Sequence, residues 1–481
     1  MKNVDSNGVK PVFICHYWSI WIITLLQFAQ GETSAQSPNV LYILGDDQSW
    51  TDFGFMGNER VYTPNLDALA EESAFFVNGY VPTSVCRPSL ATLLTGLYPH
   101  QHGIHFNHGP PGNSGYNRMK SKEEYVETRE KEFELIKKAG TLPRLLAKSG
   151  YRSLQTGKFW EGHWRNAGFT EGMTTFSAPP LNQTFGGVRR LANGERVAHG
   201  NGDVGLQIGR VTMEPIYSFI EDCEKEKAPW FVWYAPYLPH LPHDAPKKFY
   251  DLAKSRPGVA PHEVPYFASI AQFDHTVGEL MKFLEKQKLI KNTIIVFASD
   301  NGWSPGKQRR GRDYNQIKNS KRSPFDLGLR TPILLRWDSN MKPGRYSELI
   351  STIDLMPTIL STTNSPYVSN LPGTNLLQLA KRSSIISETR PIFGEIYPGD
   401  ATSLGHPERD IAYRWIRSGD WKLIVPHSQK PSQIPWGGYL KSAVLYNLRD
   451  DPFERKNLAT DPDQQTRVQS LRKILDEWWN P

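Results

Sequence analysis

Two pairs of oxygen-bearing side chains follow directly after apolar runs of the chain. Asp46 and Asp47 come after "NVLYILG", and Asp300 and Asn301 come after "TIIVFAS". Three carboxylates and one amide oxygen form the hard, all-oxygen ligand set that Ca²⁺ and Mg²⁺ prefer. Because neighbouring carboxylates repel one another, a bound cation would also neutralise the cluster. These residues therefore predict a divalent-metal site; the alternative is that each pair caps a helix or forms an Asx-turn.

Two further polar residues stand at similar places in the pattern. Lys158 ends the stretch "YRSLQTGK", and His240 ends the stretch "WFVWYAPYLPH". In open α/β sheets, functional sites form outside the carboxyl ends of the strands. Four strand ends of this kind can meet at one cleft, so we expect Lys158 and His240 to lie beside the predicted metal site.

Cys86 is one of only three cysteines in 481 residues, with Cys15 and Cys223. Pro88 fits the first turn of a helix through "SLATLLT", and Gly96 fits the C-terminal cap of that helix. A side chain at a helix N-terminus meets free amide donors and the positive end of the helix dipole. That setting suits a thiolate nucleophile or an oxyanion ligand. The alternative is a disulfide between Cys86 and Cys223 in an exported protein.

The elements that must position these residues alternate between apolar, β-rich runs and helical segments. This alternation predicts parallel strands joined by crossover helices. "TPNLDALAEESAFF" is predicted as a helix capped by Thr63, and "TLPRLLAKSG" as a helix that stops at Gly150. "STIDLMPTILS" is predicted as a further helix on the sheet. The predicted fold class is α/β, with a mostly parallel central sheet flanked by helices.

The pattern changes after about residue 380. "PIFGEI", "YRWIRSGDWKLIV" and "AVLYNL" predict antiparallel strands, and "DQQTRVQSLRKILDEWW" predicts a closing helix. The apolar face of that helix consists of Val468, Leu471, Leu475 and Trp478. We therefore predict a signal peptide at 1–35, a catalytic domain at 36–380, and a smaller α+β subdomain at 381–481 built on an antiparallel sheet.

The N-terminus is typical of an export signal. Lys2 and Lys10 precede the apolar run "VFICHYWSIWIITLL", and cleavage is predicted after Ala35. The run is shorter than the roughly 20 residues of a membrane span. We expect a periplasmic or secreted protein without stable membrane insertion, and an uncleaved anchor is the alternative.

The chain is basic, with a net charge of +7 and a pI near 9.0. A basic exported protein favours anionic partners. Zinc-finger spacing, a recognition-helix pattern and aromatic RNA-binding motifs are missing from the sequence, which argues against nucleic acid and leaves a polyanionic glycan. The loop "GKQRRGRDYNQIKNSKR" is either a solvated basic loop or a rim that attracts sulfated polysaccharide. Trp164 and Trp303 are either core residues or platforms for sugar rings.

An ordered series of motifs resembles the type I sulfatases of the alkaline phosphatase-like superfamily. The resemblance runs from Pro38 almost to the C-terminus. Its motifs are "PNVLYILGDDQSWTDFGFMG", "TPNLDALAEESAFFVNGYV", "CRPSLATLLTGLYPHQHG", "TGKFWEG", "PHLPHDAP", "ASDNG", "KRSPFDLGLRTP" and "LYNLRDDPFERKNLA". The resemblance implies a sulfuric ester hydrolase (EC 3.1.6 type) that cleaves sulfate monoesters, on a carbohydrate rather than on a small aryl sulfate.

The resemblance also implies a role for each candidate residue. Cys86 corresponds to the cysteine that a formylglycine-generating enzyme oxidises; the hydrated aldehyde attacks sulfur, and re-formation of the aldehyde releases sulfate. The implied ion is Ca²⁺ in preference to Mg²⁺, and its implied ligands are Asp46, Asp47, Asp300 and Asn301. Lys158 and Lys321 correspond to lysines that contact sulfate, and His240 to a histidine that binds or protonates the ester oxygen.

Two positions depart from the family pattern. Leu90 stands where the maturation motif has arginine, and Arg87 is not expected to replace it because it projects elsewhere on the helix. Trp160 stands where a catalytic histidine is usual, and His163 either fills that place or is a surface residue. These departures keep open a non-catalytic protein that binds sulfated glycans. The superfamily also includes phosphomonoesterases and phosphonate hydrolases.

His100 and His102, in "YPHQHG", allow two interpretations. His102 could line the cleft, or both histidines could pack and cap the turn after the helix. The second interpretation is the one we favour.

Overall fold

A computed structural model of the chain describes residues 37–178, 187–306, 317–338, 340–363, 365–366, 368–377, 389–397, 399–427 and 440–481. The predicted signal peptide and residues 307–316 of the basic loop lie outside these ranges. So does the predicted boundary after residue 380, which stays a prediction. In the described part of the chain, every helix is too short or too polar to cross a membrane.

Fourteen β-strands occur in the described part of the chain. They are β1 (Asn39–Gly45), β2 (Ala74–Tyr80), β3 (Arg152–Gly157), β4 (Glu171–Gly172), β5 (Val188–Arg190), β6 (Arg196–Ala198), β7 (Trp230–Ala235), β8 (Thr293–Ser299), β9 (Ile333–Arg336), β10 (Gly344–Ser351), β11 (Ile392–Ile396), β12 (Tyr413–Ser418), β13 (Trp421–Pro426) and β14 (Val444–Asn447).

The α-helices follow the same order. They are α1 (Pro64–Glu71), α2 (Cys86–Thr95), α3 (Pro99–His102), α4 (Asn113–Tyr116), α5 (Lys122–Lys138), α6 (Leu142–Ala147), α7 (Glu214–Glu226), α8 (Lys247–Ser255), α9 (Val264–Lys286), α10 (Asp326–Leu329), α11 (Leu355–Thr362) and α12 (Gln465–Trp478).

The central sheet is mostly parallel, which confirms the predicted fold class. Within the described ranges it has eight strands in the order β10-β2-β9-β8-β1-β7-β3-β4, and β9 runs antiparallel to both of its neighbours. β1 and β8 are paired in register from Asn39↔Thr293 to Gly45↔Ser299. Because the two strands end together, the residues that follow Gly45 and Ser299 leave the sheet side by side.

The central strand β1 is buried on both faces. Val40, Tyr42 and Leu44 face a core that includes Leu90, Leu93 and Leu94 of α2. The alternate residues Leu41 and Ile43 face a second core that includes residues of α7 and α9. Strands covered on both faces read as continuous apolar runs, which explains why "NVLYILG" was recognisable in the sequence.

The helix predicted through "TPNLDALAEESAFF" is wrong in its second half. α1 ends at Glu71, and Ala74–Tyr80 forms β2 between β9 and β10. Phe75 and Phe76 face opposite cores, as consecutive residues of a strand do. Burial on both sides of the sheet therefore outweighs the helical pattern of the preceding residues.

A second, antiparallel sheet forms the C-terminal part of the described chain. Its order is β11-β12-β13-β14, and the pairing is antiparallel throughout, which confirms the predicted antiparallel strands. Helix α12 packs Leu471 and Leu475 against Leu423, Val425 and Leu445. Val468 and Trp478 lie at the margin of the same cluster, so the predicted apolar face is the packed face.

We predict that Leu475→Ala lowers the free energy of unfolding by about 2–5 kcal/mol, because Leu475 is fully buried and its truncation leaves a cavity. Ile474→Ala is the matched control in the same helix. Ile474 is 37% exposed, and its truncation should change the free energy by about 0.5 kcal/mol. Denaturant unfolding measures both variants, and equal losses would contradict the packing described for α12.

Candidate active site

The structure brings the candidate residues from four strand ends and one helix to a single point. One ligand atom each from Asp46, Asp47, Cys86 and Asp300 lies within 4.8 Å of the others. All four residues are at least 95% buried. The expected convergence at the carboxyl edge of the sheet is therefore what the structure shows.

Backbone hydrogen bonds hold the two acidic segments together. Asp300 N–H donates to Gly45 O at 2.9 Å, and Asp47 N–H donates to Asp300 Oδ1 at 3.1 Å. Asp47 has a φ of 62°, a left-handed conformation that costs free energy in a residue with a Cβ. Gly302 must be glycine, because a Cβ there would lie 1.9 Å from Leu327 O. The register of β1 with β8 and the close backbone contact at Gly302 therefore fix the directions of the acidic side chains.

Two lysines neutralise part of this acidic cluster. Lys158 Nζ donates to Asp46 Oδ1 and, at 3.0 Å, to Asp300 Oδ2. Lys321 Nζ donates to both oxygens of Asp47 at 2.6 and 2.8 Å. Burial lowers the pKa of Lys158, but Asp300 and Asp46 outweigh it and hold that pKa well above its usual value. Both lysines are therefore charged.

Gly157 allows Lys158 to reach the cluster. Its φ is 74°, and a Cβ would lie 1.9 Å from Ala235 O. The close approach lets Lys158 N–H donate to Ala235 O at 2.6 Å. The end of β3 is thereby pinned to the end of β7, which leads on to His240.

The three carboxylates have unequal electrostatic environments. Burial raises the pKa of Asp46 well above its usual value, and the repulsion of Asp300 and Asp47 adds to that rise. Burial also raises the pKa of Asp47, but the positive charges of Lys321 and Lys158 outweigh it and hold the pKa below its usual value. Asp46 is therefore the carboxylate whose charge lacks full compensation from the side chains.

The donor set fits a divalent metal. In the described part of the chain, Asp46 Oδ2 and Asn301 Oδ1 are buried oxygens without a hydrogen-bond partner. Asn301 Nδ2 donates to Asp47 Oδ1 at 2.7 Å, so the amide oxygen faces another way. An unpaired buried oxygen costs about 1–3 kcal/mol, and a hard cation would remove that cost. Asp46, Asp47 and Asp300 could therefore hold such a cation, and Asn301 would join them with its amide turned so that Oδ1 takes the place of Nδ2.

Cys86 begins α2 and points at the cluster, with Sγ 3.9 Å from Asp47 Oδ1. Burial raises the pKa of the thiol to about 11, against the opposing effects of Lys158 and Lys321. The helix N-terminus therefore does not produce a thiolate at neutral pH. Cys86 and Cys223 are both free, so the disulfide alternative is wrong.

His240 presents a neutral imidazole to the cluster. Nε2 lies 3.5 Å from Asp47 Oδ2, and the ring packs against Tyr237 at a tilt of 32°, with centroids 4.2 Å apart. Burial lowers the pKa of His240 well below its usual value. Nδ1 lies 2.7 Å from Leu241 O, and since a carbonyl only accepts, Nδ1 carries the proton. Nε2 is then the nitrogen that can take up a proton at the site.

The departures from the family pattern have definite structural places. Leu90 is buried in the apolar core below Cys86. His163 Nδ1 accepts from Arg165 N–H at 3.2 Å, so His163 caps the turn Trp164–Ala167 and does not fill the place of the missing histidine. Trp160 occupies that place as a buried ring, 5.5 Å from His108.

Several other candidates are structural residues. His102 contacts Thr92 Oγ1 and Ile104 N, and His100 contacts Glu395 Oε1 at 3.0 Å. The packing interpretation of these two histidines is therefore the correct one. Trp303 and Trp164 are buried, at 4% and 9% exposure, so the idea that they stack on sugar rings is wrong.

Arg87 has a role that the sequence analysis missed. It is fully buried and donates from Nε and Nη2 to the two oxygens of Glu161, each at 2.8 Å. Its Nη1 donates to Glu132 Oε2 at 2.5 Å, and Arg129 Nε lies 3.4 Å from the same oxygen. Glu161 follows Lys158 by three residues. Arg87 thus joins the helix that begins at Cys86 to the loop that follows Lys158. The sequence feature that could have indicated this role was the arginine directly after Cys86.

The C-terminal sheet holds the segment that follows Lys321. Lys422 Nζ, on β13, donates to Asp326 Oδ1 at 2.7 Å and lies 2.8 Å from Glu454 Oε1. Tyr80 O–H donates to Asp326 Oδ2 at 2.6 Å. All of these groups are buried. The position of α10, and with it the loop of Lys321, depends on charges from the second sheet.

Comparison with known proteins agrees with this geometry. The sulfatase family matches residues 38–365, and the C-terminal family of N-sulphoglucosamine sulphohydrolase matches residues 318–480. An ulvan-active sulfatase of Formosa agariphila is 24% identical, over 92% of this chain and 80% of its own length. Human arylsulfatase A is 27% identical, over 90% of this chain and 86% of its own length.

Solved structures share the fold. The structure of Ps i-CgsB in complex with k-i-k-neocarrahexaose has a TM-score of 0.67 at 22% identity, over 92% of this chain and 93% of that chain. The phosphonate monoester hydrolase of Agrobacterium radiobacter has a TM-score of 0.62 at 18% identity, over 92% of this chain and 95% of that chain. At these identities the likeness establishes the fold alone.

We predict that Arg87→Met lowers the free energy of unfolding by about 3–5 kcal/mol, because Glu161 is left buried and unpaired. The double variant Arg87→Met/Glu161→Gln should recover most of this loss, since Glu132 keeps Arg129 as its partner. Denaturant unfolding of both variants tests this role of Arg87, and equal losses would contradict it. Lys247→Met, at an ion pair on the surface, should change stability by less than about 1 kcal/mol.

Proposed function

The chain belongs to the sulfatase family, and on that premise we propose that it hydrolyses sulfate esters of a sulfated carbohydrate. Residue 86 acts as formylglycine, and a divalent metal is held by Asp46, Asp47, Asp300 and Asn301. The observation that carries this proposal is the convergence of three carboxylates and Cys86 within 4.8 Å at the carboxyl edge of the sheet.

The two lysines form the anion site of this proposal. Lys158 and Lys321 both contact the acidic cluster beside Cys86, from two separate segments of the chain. Preorganised cations stabilise an anion that gains charge on its bridging oxygen. The sulfate group is therefore held by Lys158 and Lys321 next to residue 86.

The chemistry at residue 86 needs more than a thiol. A group with a pKa of about 11 is a poor nucleophile at neutral pH. Hydrated formylglycine supplies a hydroxyl nucleophile and a route by which the sulfate is released. The metal, when bound, supplies Lewis-acid stabilisation of charge on the sulfate oxygens, and the family resemblance favours Ca²⁺ over Mg²⁺.

His240 serves the leaving alcohol. Its Nδ1 donates to Leu241 O, which leaves Nε2 facing Asp47 and the anion site. A proton held at Nε2 can pass to the ester oxygen as the bond to sulfur breaks, or Nε2 can accept a hydrogen bond from the alcohol formed. This matches the role that the family resemblance implies for His240.

Relatives and charge support a glycan substrate. One relative is an ulvan-active sulfatase, and one structural neighbour is described in complex with k-i-k-neocarrahexaose. The net charge of +7 attracts a polyanionic chain. We further propose that the protein is exported through its N-terminal signal and meets a formylglycine-generating enzyme on the way.

We predict that Cys86→Ala reduces the release of sulfate from 4-nitrophenyl sulfate by at least about a thousandfold, because the nucleophile is lost. Cys223→Ala is the matched control, since it removes the other buried free thiol, and it should keep its activity. Mass spectrometry of the peptide around residue 86 should find the aldehyde or its hydrate in the wild type.

Three results would overturn the proposed function. One is a wild-type rate in Cys86→Ala. Another is an unmodified thiol at residue 86 in protein from a competent host, which would favour the non-catalytic glycan-binding alternative. The third is faster turnover of 4-nitrophenyl phosphate than of the matched sulfate, which would favour a phosphomonoesterase.

We predict that Ca²⁺ raises the melting temperature of chelator-treated protein, because ligand binding at a hundredfold excess over Kd stabilises the folded state by about 2.7 kcal/mol. Asp300→Asn should lose this response. Asp222→Asn changes an exposed carboxylate outside the cluster and should respond as the wild type does. An equal Ca²⁺ response in Asp300→Asn would contradict the assigned ligands, and a response to Mg²⁺ alone would contradict Ca²⁺.

A further inference from the structure

A pocket of buried polar side chains lies beside the candidate active site, formed by Trp160, His108, His199 and Asn201. We call it the indole–imidazole pocket. Its three rings pack edge to face, with centroids 5.5 Å apart for Trp160 and His108 and 5.8 Å apart for Trp160 and His199. His108 and His199 are 5.9 Å apart. The pocket is thus a compact aromatic cluster with polar edges.

Each of the four side chains has a buried polar atom without a partner among the residues that the structure describes. These atoms are Trp160 Nε1, His108 Nε2, His199 Nδ1 and Asn201 Oδ1. Trp160, His108 and Asn201 are at least 95% buried. A native fold pairs nearly all such atoms, because each unpaired one costs about 1–3 kcal/mol. Four of them in one cluster indicate a missing hydrogen-bonding partner.

The chain and two hydrogen bonds link the pocket to the reacting groups. Trp160 follows Lys158 by two residues, and Phe159 N–H donates to Asn201 O at 3.1 Å. Asn201 Nδ2 donates to Tyr237 Oη at 3.4 Å, and the Tyr237 ring contacts the His240 ring. A molecule whose sulfate lies at Lys158 would therefore place its next atoms against this pocket.

The unpaired atoms include both donors and acceptors. His108 Nδ1 lies 3.0 Å from Asp400 Oδ1 and donates to it, so Nε2 is an acceptor. Asn201 Oδ1 is also an acceptor, and Trp160 Nε1–H is a donor. Burial lowers the pKa of His108 to about 4 and that of His199 well below its usual value, so both rings are uncharged at neutral pH.

Arg129, next to His199, adds further buried donors. Its Nη1 donates to His199 O at 3.1 Å and its Nε lies 3.4 Å from Glu132 Oε2, while Nε and Nη2 have no hydrogen-bond partner within the described residues. A second sulfate or a carboxylate, which only accepts, would face the lone pairs of His108 and Asn201. A hydroxyl group donates and accepts, so it matches the mixed set.

We propose that the indole–imidazole pocket binds free hydroxyl groups of the sugar ring that carries the scissile sulfate. It thereby selects a monosulfated pyranoside over an ester that lacks hydroxyls. This inference rests on the proposed sulfatase function and identifies the residues that choose the alcohol half of the substrate.

The test compares a hydroxyl-free ester with sugar esters. The probes are 4-nitrophenyl sulfate, galactose 4-sulfate, galactose 6-sulfate and glucosamine 6-sulfate. Trp160→Phe keeps an aromatic ring and removes only the N–H donor with part of the indole. It should lower kcat/KM about tenfold on the sugar sulfate that the wild type hydrolyses fastest, and change kcat/KM on 4-nitrophenyl sulfate by less than about twofold. His108→Asn, which can still donate to Asp400 but lacks Nε2, should show the same selective loss.

Trp164→Phe is the matched control, a buried indole of the same loop outside the pocket, and it should leave the ratio of the two rates unchanged. Equal losses on both kinds of substrate, or no loss on either, would overturn the inference. So would a wild-type enzyme that hydrolyses 4-nitrophenyl sulfate and none of the sugar sulfates. Failure of the wild type on every sulfate would instead overturn the proposed function itself.

Discussion

The site depends on one electrostatic constraint, which is the burial of three carboxylates around a single point. Two ammonium groups, from Lys158 and Lys321, leave the cluster one positive charge short. Most of the surrounding architecture serves to hold these charges at fixed separations. The register of β1 and β8 aligns the acids, and the close approach at Gly157 brings in Lys158. A divalent cation would more than offset this deficit and leave one net positive charge at the site, which suits the binding of an anion.

The sequence was enough to predict those site residues that directly follow a strand. Asp46, Asp47, Asp300 and Asn301 each follow an apolar strand directly, so strand recognition was enough to predict that they meet. The family, the fold class and the enzyme class predicted from the ordered motifs are all confirmed. The strands β9 and β10 were missed because their burial comes from neighbours distant in sequence. The division of the chain at residue 380 and the roles of the individual site residues stay predictions.

The residues that escaped prediction act through partners far along the chain. Arg87 was judged by its place on a helix, yet its partners Glu161 and Glu132 lie 74 and 45 residues away. Lys422 lies 96 residues from Asp326. Such pairs form only when the tertiary structure excludes water, so no local sequence pattern predicts them. The same reason explains why His199, and not His163, lies next to Trp160.

The contact of Lys422 with Asp326 and Glu454 also bears on how the two sheets of this protein can diverge. One member of this buried group follows closely after Lys321, while the others belong to the C-terminal part of the chain. An exchange of the antiparallel sheet between distant relatives would replace Lys422 and Glu454 while Asp326 stayed. The buried charges of this group would then no longer be matched. A chimaera keeps Lys321 in place only if Asp326, Lys422 and Glu454 are inherited together, so the two sheets must be exchanged as one unit.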